Sequence, residues 1–498
     1  MNAPNLPQPT EASQKVVRDV TWIVAALVVV VLSHLFFSFW HRWDYGFDLE
    51  WMEGGMLVHV DRLRQGQGLY VPPSADFIPY IYPPLYPWVL SVLGEPSYSI
   101  GRLVSILGTL VAMGAAVAAV RQERIPWAFA LAPVALYGTC YENSGAFFDL
   151  VRSDAFALGL ASWAIVLVRN GRGRQLDVGA LLLVLAYMAK HNYAAFGLPM
   201  AIWLWVYRGR SSALRFVAIS AGVAGAWTLY MAWATEGLFL VYLLEVPSVH
   251  PLVGERFWPG AEKEVYGALP TVFWAAFGTG LALWKTGGLR DREAVTYWGS
   301  IGLMGLLLCA LMRAHHGGFL NVLMPGYWLL ALLSCLVLGA LARRGKPLLA
   351  CVLLIASAGW DVNKGLWPKE KYVPTAQDVA AGEKLIARIA EYPGEVLMPH
   401  APWYPVLAGK RPSLPLIALW DIDHKKGPLR EGVDDFREAI AAKRWSAIVT
   451  ASRKMRYGIS EHYQSAGGTG VSGGRLRTKS GWPVSPTRIL EPRTSAED

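Results

Sequence analysis

The sequence predicts a polytopic α-helical membrane protein with a small C-terminal α/β domain, and three observations carry that prediction. First, 54% of its 498 residues are hydrophobic and only 17% charged, with a mean hydropathy of +0.31, outside the range of ordinary soluble domains. Second, the apolar residues are gathered into stretches long enough to cross a bilayer. Third, Lys and Arg fall in short clusters between alternate stretches.

Taken in order, residues 1–19 are polar and carry Lys15 and Arg18, so the positive-inside rule places this N-terminal tail in the cytoplasm. Trp22–Trp40 has about the roughly 20 residues that a span needs, and no small-residue cleavage site follows. It reads as a signal anchor. Further spans are expected near Ser99–Val120, Ile125–Cys140, Ala155–Val168, Leu176–Ala189, Tyr193–Tyr207, Ala213–Thr235, Leu269–Trp284, Val295–Met312, Leu320–Ala342 and Pro347–Gly359, about eleven in all. Together they make a transmembrane domain over 20–360.

The connecting loops alternate in character. Arg121/Arg124, Arg169/Arg172/Arg174, Arg208/Arg210/Arg215, Lys285/Arg290/Arg292 and Arg343/Arg344/Lys346 mark one side. Glu142, Asp149 and Asp154, then Glu236, Glu245, Glu255, Glu262 and Glu264, mark the other. An N-terminus in the cytoplasm sets the first loop, 41–97, and the C-terminal domain outside, in the manner of a multi-pass inner-membrane protein. Within that loop Tyr80–Gly94, with its Pro-Pro, is expected to lie in the outer leaflet rather than to cross it.

Beyond Gly359 the chain is no longer uniformly apolar. Helical patterns at Thr375–Glu391 and Gly432–Lys443 alternate with strand-like runs at Glu395–Met398 and Ala447–Thr450, which predicts a small outward α/β domain over 361–463. From Gln464 the Gly, Ser, Arg and Pro content predicts a flexible tail, 464–498.

The net charge of +9 invites a nucleic-acid reading, but its clustering between apolar stretches fits membrane anchoring instead. Cys140, Cys309, Cys335 and Cys351 lie in or beside apolar segments and form no ligand pattern. No nucleotide-binding glycine motif is present either. No cofactor is expected, and a divalent metal has no support in the sequence.

Several polar groups from distant loops share the predicted outward face. The first loop brings Asp48, Glu50 and Glu53, with a Tyr-Pro-Pro-Leu-Tyr element from Tyr82 to Tyr86. Asp149, Arg152 and Asp154 come next, then Lys190, His191 and Asn192, then Arg313, His315, His316 and Asn321. Ionisable groups where a chain leaves a bilayer point to function. Carboxylates mixed with cations suit a reaction in which a hydroxyl loses its proton while a phosphate-bearing group departs. Each group also has a structural role open to it: acids favour helix starts, Asp154 can cap a helix, and Arg152 and Arg313 can snorkel. The adjacent His315 and His316 do not share a helix face, which makes them poor metal partners.

Four features together resemble the GT-C membrane glycosyltransferases, which include protein O-mannosyltransferases and lipid A aminoarabinose transferases. They are the outward acid cluster, Arg-Leu-x-x-Gly-x-x-Leu-Tyr from Arg62 to Tyr70, Tyr-Pro-Pro-Leu-Tyr, and Gly-Arg-Leu from Gly101 to Leu103. Arg152–Ala157, Ala189–Asn192 and His316–Gly326 extend the likeness, and Met398–Tyr404 resembles the family in the C-terminal domain. The resemblance implies transfer of a sugar from a polyprenyl-phosphate donor to a glycan, lipid or protein acceptor. A first-loop acid would be the base: Asp48 first, Glu53 close behind and Glu50 as a third candidate. The family's adjacent Asp-Glu pair is absent here, its Glu falling on Glu53 and its Asp on Met52. The lysine that some members carry before the first proline is Tyr82 here, so Lys190, Arg313 or His316 would hold the phosphate, with Arg152, Asp154, His191 and Tyr82 lining the substrate site. The alternative is a transporter or flippase of lipid-linked sugars, which calls for ionisable groups at mid-bilayer depth. A non-catalytic envelope assembly protein is a third reading.

Overall fold

A computed structural model describes residues 11–288, 291–451, 456–471 and 474–494. The predicted cytoplasmic tail up to residue 10, Arg290, and residues 472–473 and 495–498 of the predicted C-terminal tail lie outside the described residues.

A helix occupies each expected span. These are α1 (Glu11–Trp40), α4 (Tyr98–Gln122), α5 (Trp127–Thr139), α6 (Ser153–Asn170), α7 (Gly173–Ala189), α8 (Gly197–Tyr207), α9 (Arg210–Ala234), α11 (Pro270–Lys285), α12 (Arg292–Ala314), α13 (Met324–Arg343) and α14 (Pro347–Gly365). Among the described residues six helical stretches are long and apolar enough to cross a membrane: α1, α4, α9, α12, α14, and Leu320–Arg343, which contains α13. A seventh is added if α11 is joined to α10 (Gly254–Val265), from which it bends by 95°. Large apolar side chains such as Trp22, Leu229, Trp233 and Leu303 face outward from the bundle, as lipid-facing residues do.

Close crossings position the loops. A Cβ on Gly108 of α4 would stand 2.6 Å from the Ala155 carbonyl oxygen, and one on Gly159 of α6 would stand 2.8 Å from the Gly108 carbonyl oxygen. Only glycines allow two helix backbones so near, which is how packing is gained where solvent supplies no drive. About two turns before Gly108, Gly101 makes room for the Val151 side chain. Arg102 is thereby brought beside the start of α6.

The first loop holds two helices, α2 (Glu53–Arg64) and α3 (Leu85–Leu93). The amphipathic run ending at Leu63 forms α2, yet Glu53 through Val60 are all buried, because the C-terminal region covers the face that sequence left to water. Tyr80 stacks on His59, with ring centroids 4.7 Å apart, and the Tyr80 N–H donates to His59 Nε2 at 2.8 Å.

The C-terminal region forms a four-stranded sheet of order β1-β2-β4-β3, where β1 is Val396–Leu397, β2 Ala447–Thr450, β3 Tyr463–Gly468 and β4 Arg488–Pro492. The first two pair in parallel and the others antiparallel. Helices α15 (Ala376–Ala390), α16 (Leu416–Ile422) and α17 (Glu431–Ala441) accompany it. A reciprocal cap between Thr375 and Asp378 starts α15. The expected boundaries need correction. Helix α14 runs past residue 360, and the stretch expected to be a flexible tail supplies β4 and nearly all of β3. Ladder hydrogen bonds and the burial of Ile489 and Leu490 order it, which a Gly- and Ser-rich composition does not reveal.

Candidate active site

The first-loop acids play three different parts. Glu53, the first residue of α2, is wholly buried and takes five donors. Its Oε1 accepts from Arg102 Nε at 3.0 Å and Val151 N–H at 2.8 Å. Its Oε2 accepts from Arg102 Nη2 at 2.8 Å, Leu49 N–H at 2.6 Å and Glu50 N–H at 3.3 Å. Arg102 spends its remaining donors on the carbonyls of Arg42, Tyr45 and Phe47. Both oxygens of Glu53 are engaged by protein donors, so its carboxylate fastens the loop to α4 and to the approach to α6. Glu53, expected as a base, is thus placed as a fastening group whose oxygens are already occupied by protein donors.

Glu50 stands at the head of a row of alternating charges. Arg152 Nη1 donates to its Oε2 at 3.1 Å, and the Arg152 Nε lies 3.7 Å from Asp154 Oδ2. Asp154 Oδ1 accepts from Lys190 and from Asn321 Nδ2 at 2.8 Å. The Arg152 guanidinium also lies over the rings of Phe147 and Tyr82, 5.6 and 5.9 Å from their centroids. All four charged groups are buried. Burial drives the Glu50 carboxyl upward; Arg152 opposes this and Glu53 adds to it, leaving the group at about 7.

Asp48 faces a separate polar pair. Tyr98 donates its hydroxyl to Oδ1 at 2.8 Å, and the Asp48 N–H donates to the Tyr404 hydroxyl oxygen at 3.2 Å. Its Oδ2 is buried with no hydrogen-bond partner. Burial, reinforced by Glu53, holds this carboxyl well above the usual carboxylate range.

Residues from far along the chain close the site. Arg42 holds Asp149 with bonds of 2.6 and 3.1 Å and donates to the Tyr372 carbonyl and to Ser480 Oγ, each at 2.9 Å. The Ser480 N–H donates to the Leu49 carbonyl at 2.9 Å, and Gly481 N–H to Gly145 at 3.2 Å. Gly481 has φ +64°, and a Cβ there would stand 2.8 Å from Glu50 Cγ. Ser480 and Gly481 thus form a strap over Glu50 that only glycine fits.

Two expected phosphate-binding residues are not part of this row. Arg313 is gripped by Glu264, with bonds of 2.6 and 2.7 Å, and donates to the Gly318 carbonyl at 2.8 Å. His316 is exposed, and its carbonyl accepts from Arg256 at 3.3 Å. Both tie α12 and its following turn to α10. His191, next to Lys190, keeps a buried Nδ1 without a partner, as Asn192 does its Oδ1.

The structure adds residues that sequence reasoning did not put in the site. Arg102 and Arg42 organise it, and the C-terminal region contributes Asp421, which bears electrostatically on the Tyr82 phenol; Asn321, already expected on this face, grips Asp154. The Gly-Arg-Leu motif was a signal for Arg102. Asp421 had none. Among the described residues no group of three or more His, Cys, Asp or Glu side chains is arranged to hold a metal ion.

No protein-family model matches the chain, and no curated protein matches its sequence. Two solved structures are similar over nearly their whole length. ArnT from Cupriavidus metallidurans bound to undecaprenyl phosphate superposes with a TM-score of 0.56 at 14% identity, covering 96% of this chain and 99% of that one. The apo state of ArnT from the same organism gives 0.57 at 13% identity, covering 96% and 98%. Identity that low speaks to architecture alone, and on it the chain has the GT-C fold.

Proposed function

We propose that this chain is an integral-membrane glycosyltransferase that moves a sugar from a polyprenyl-phosphate donor to a hydroxyl of an envelope glycan, lipid or protein. It works at the outer face of the cytoplasmic membrane, with about eleven spans, a cytoplasmic N-terminus and the sheet region outside. The observation that carries this reading is the buried row Glu50–Arg152–Asp154–Lys190. Once Glu50 has taken a proton, the row holds two cations, Arg152 and Lys190, against one carboxylate and favours the anionic phosphate that departs. The likeness to a solved ArnT bound to undecaprenyl phosphate supports a lipid-linked donor. So does an apolar groove of about 480 Å³ on α11, α12 and α13, lined by Val265, Phe277, Gly326 and Leu333 among others. Gly326 lies five residues past Asn321, which holds Asp154.

In the proposed step Glu50 takes the proton of the acceptor hydroxyl. The oxygen attacks the anomeric carbon, the bond from that carbon to the phosphate oxygen breaks, and the new charge on the polyprenyl phosphate is met by Arg152 and Lys190. Asp154 and Asn321 position Lys190. Asp48 is a second reading for the base, favoured by its unpartnered Oδ2.

The test is transfer of labelled sugar from a polyprenyl-phosphate donor by folded Glu50→Gln, Asp48→Asn and Lys190→Gln variants in native membranes. Loss in Glu50→Gln and Lys190→Gln is expected. Full turnover by both sinks the assignment, and loss in Asp48→Asn alone moves the base to Asp48. A transporter would instead carry labelled lipid across vesicles without forming a glycosidic bond.

A further inference from the structure

One motif is left over once the charged row is assigned, the stretch Met398–Tyr404. His400 is 7% exposed, and its Nδ1 is buried without a hydrogen-bond partner. Its ring lies 6.3 Å from that of Trp51, at 35°. Trp51 in turn lies 5.6 Å from Trp420, at 58°, so the two indoles form an open angle rather than a flat stack. Trp51 is half-buried and Trp420 is exposed, with the Arg456 guanidinium 5.9 Å from the Trp420 centroid. Asp421 follows Trp420 on α16, and its carboxylate accepts no hydrogen bond from the described residues although its backbone carbonyl pairs with His250.

This corner is built rather than accidental. The Leu416 N–H donates to the Pro399 carbonyl at 2.9 Å, and Ser413 Oγ receives the Met398 N–H at 2.8 Å, which fixes the start of α16 against the motif. A Cβ on Gly54 would stand 3.1 Å from Trp403 Cβ, and one on Gly55 would run into the Tyr80 hydroxyl and stand 3.1 Å from Pro415. Two glycines at the head of α2 therefore let the C-terminal region press its aromatic corner against Trp51, the residue after Glu50.

We propose that Trp51, Trp420, His400 and Asp421 form a saccharide-binding subsite that holds a sugar ring of the acceptor beside the charged row. Angled indole faces receive the C–H face of a pyranose, while an imidazole nitrogen and a carboxyl lacking protein partners meet its hydroxyl edge. A lipid chain would leave both polar groups unpaired, and the two flanking indoles offer no strand edge for a peptide. Burial pushes the Asp421 carboxyl up to about 8, so at neutral pH it is an O–H donor as well as an acceptor. The proposal rests on the glycosyltransferase reading for its biological sense, since it names the acceptor as a glycan or a glycan-bearing molecule.

Binding is tested without donor or turnover. The full-length protein in lipid nanodiscs is titrated with methyl α-glucopyranoside, methyl α-mannopyranoside and methyl α-galactopyranoside, read by saturation-transfer NMR. At least one glycoside is expected to bind saturably through its ring C–H protons. Trp420→Ala should weaken that glycoside roughly three- to tenfold, and Trp420→Phe, which keeps a stacking ring, should retain most of the affinity. Unfolding curves confirm that both variants are folded. Saturable binding by none of the three, or unchanged affinity in folded Trp420→Ala, overturns the subsite. If glycosides bind as expected while Glu50→Gln and Lys190→Gln transfer sugar normally, the proposed reaction falls and the subsite stands. If those variants lose transfer and no glycoside binds, the reverse holds.

Discussion

The molecule gathers buried charge at both ends of its helix bundle, and the two gatherings are finished differently. At the end away from the first loop, Arg169 grips Glu123 with bonds of 2.8 and 3.2 Å and also pairs with Glu293, which Arg208 shares. Trp298 Nε1 donates to Glu123 Oε1 at 2.8 Å, Arg343 donates to the Glu123 carbonyl at 2.7 Å, and the Trp203 ring lies under both Arg169 and Arg208. Among the described residues Gln122 Oε1 is the buried polar atom there that lacks a partner. The first-loop end leaves Asp48 Oδ2, Asp154 Oδ2, His191 Nδ1, Asn192 Oδ1 and His400 Nδ1 without hydrogen-bond partners, although Arg152 Nε lies 3.7 Å from Asp154 Oδ2. A network that only joins helices has reason to satisfy every group, because an unpaired buried one costs about 1–3 kcal/mol. Spare valence concentrated at one end marks the place where a ligand completes the bonding.

That contrast is open to attack by mutation. The largest effect expected is on turnover: Glu50→Gln should reduce transfer by about 10²–10⁴-fold, the usual scale for losing a general base, with the unfolding temperature at neutral pH little changed. Radiolabel transfer and a thermal melt on the same preparation check both halves. Next come the fastening pairs. Arg102→Met at the site end and Arg169→Met at the far end each strand a buried carboxylate and should cost about 3–5 kcal/mol. Folded Arg169→Met should still turn over at the wild-type rate, and a matched loss of kcat there would erase the distinction between the two ends.

A pH series sharpens the picture. Only ionised Glu50 can accept a proton, so the rate should rise with pH and level off above about 7, falling about tenfold for each unit below it. The same raised value means that ionisation works against the fold. Its stabilising contribution is complete below the ordinary value of 4.5 and lost as pH climbs through about 7. Melting temperature should therefore decline more steeply across that window in the wild type than in Glu50→Gln, where the raised carboxyls of Asp48 and Asp421 still act. The smallest effect is expected at Arg313. Its pair with Glu264 is partly solvated, so Arg313→Gln should cost about 0–1 kcal/mol and leave transfer within a factor of about three.

Helix positions were legible because apolar stretches of that length have few alternatives. The gathering of Asp48, Glu50, Arg152, Asp154 and Lys190 was legible through loop alternation, since each lies on a loop of the same predicted side. Partner choice was not. Arg102 follows Gly101 at the mouth of a span and looks like any interfacial arginine, until Val151 packing against that glycine brings it onto Glu53. Arg313 looked available because Glu264 belongs to another loop, and only the bend between α10 and α11 brings the two together. Likewise β3 and β4 hide in a composition suited to loops, because cross-strand pairing rather than local propensity orders them.

The strap at Ser480 and Gly481 has a consequence for how the protein is made. Its bonds reach back to Arg42, Leu49 and Gly145, so the first loop waits for a segment made more than 300 residues later before it can settle. A chain whose residues 480 and 481 are not yet made holds Glu50 without that cover. Synthesis of the strap, rather than insertion of the first helices, therefore decides when Glu50 gains its cover.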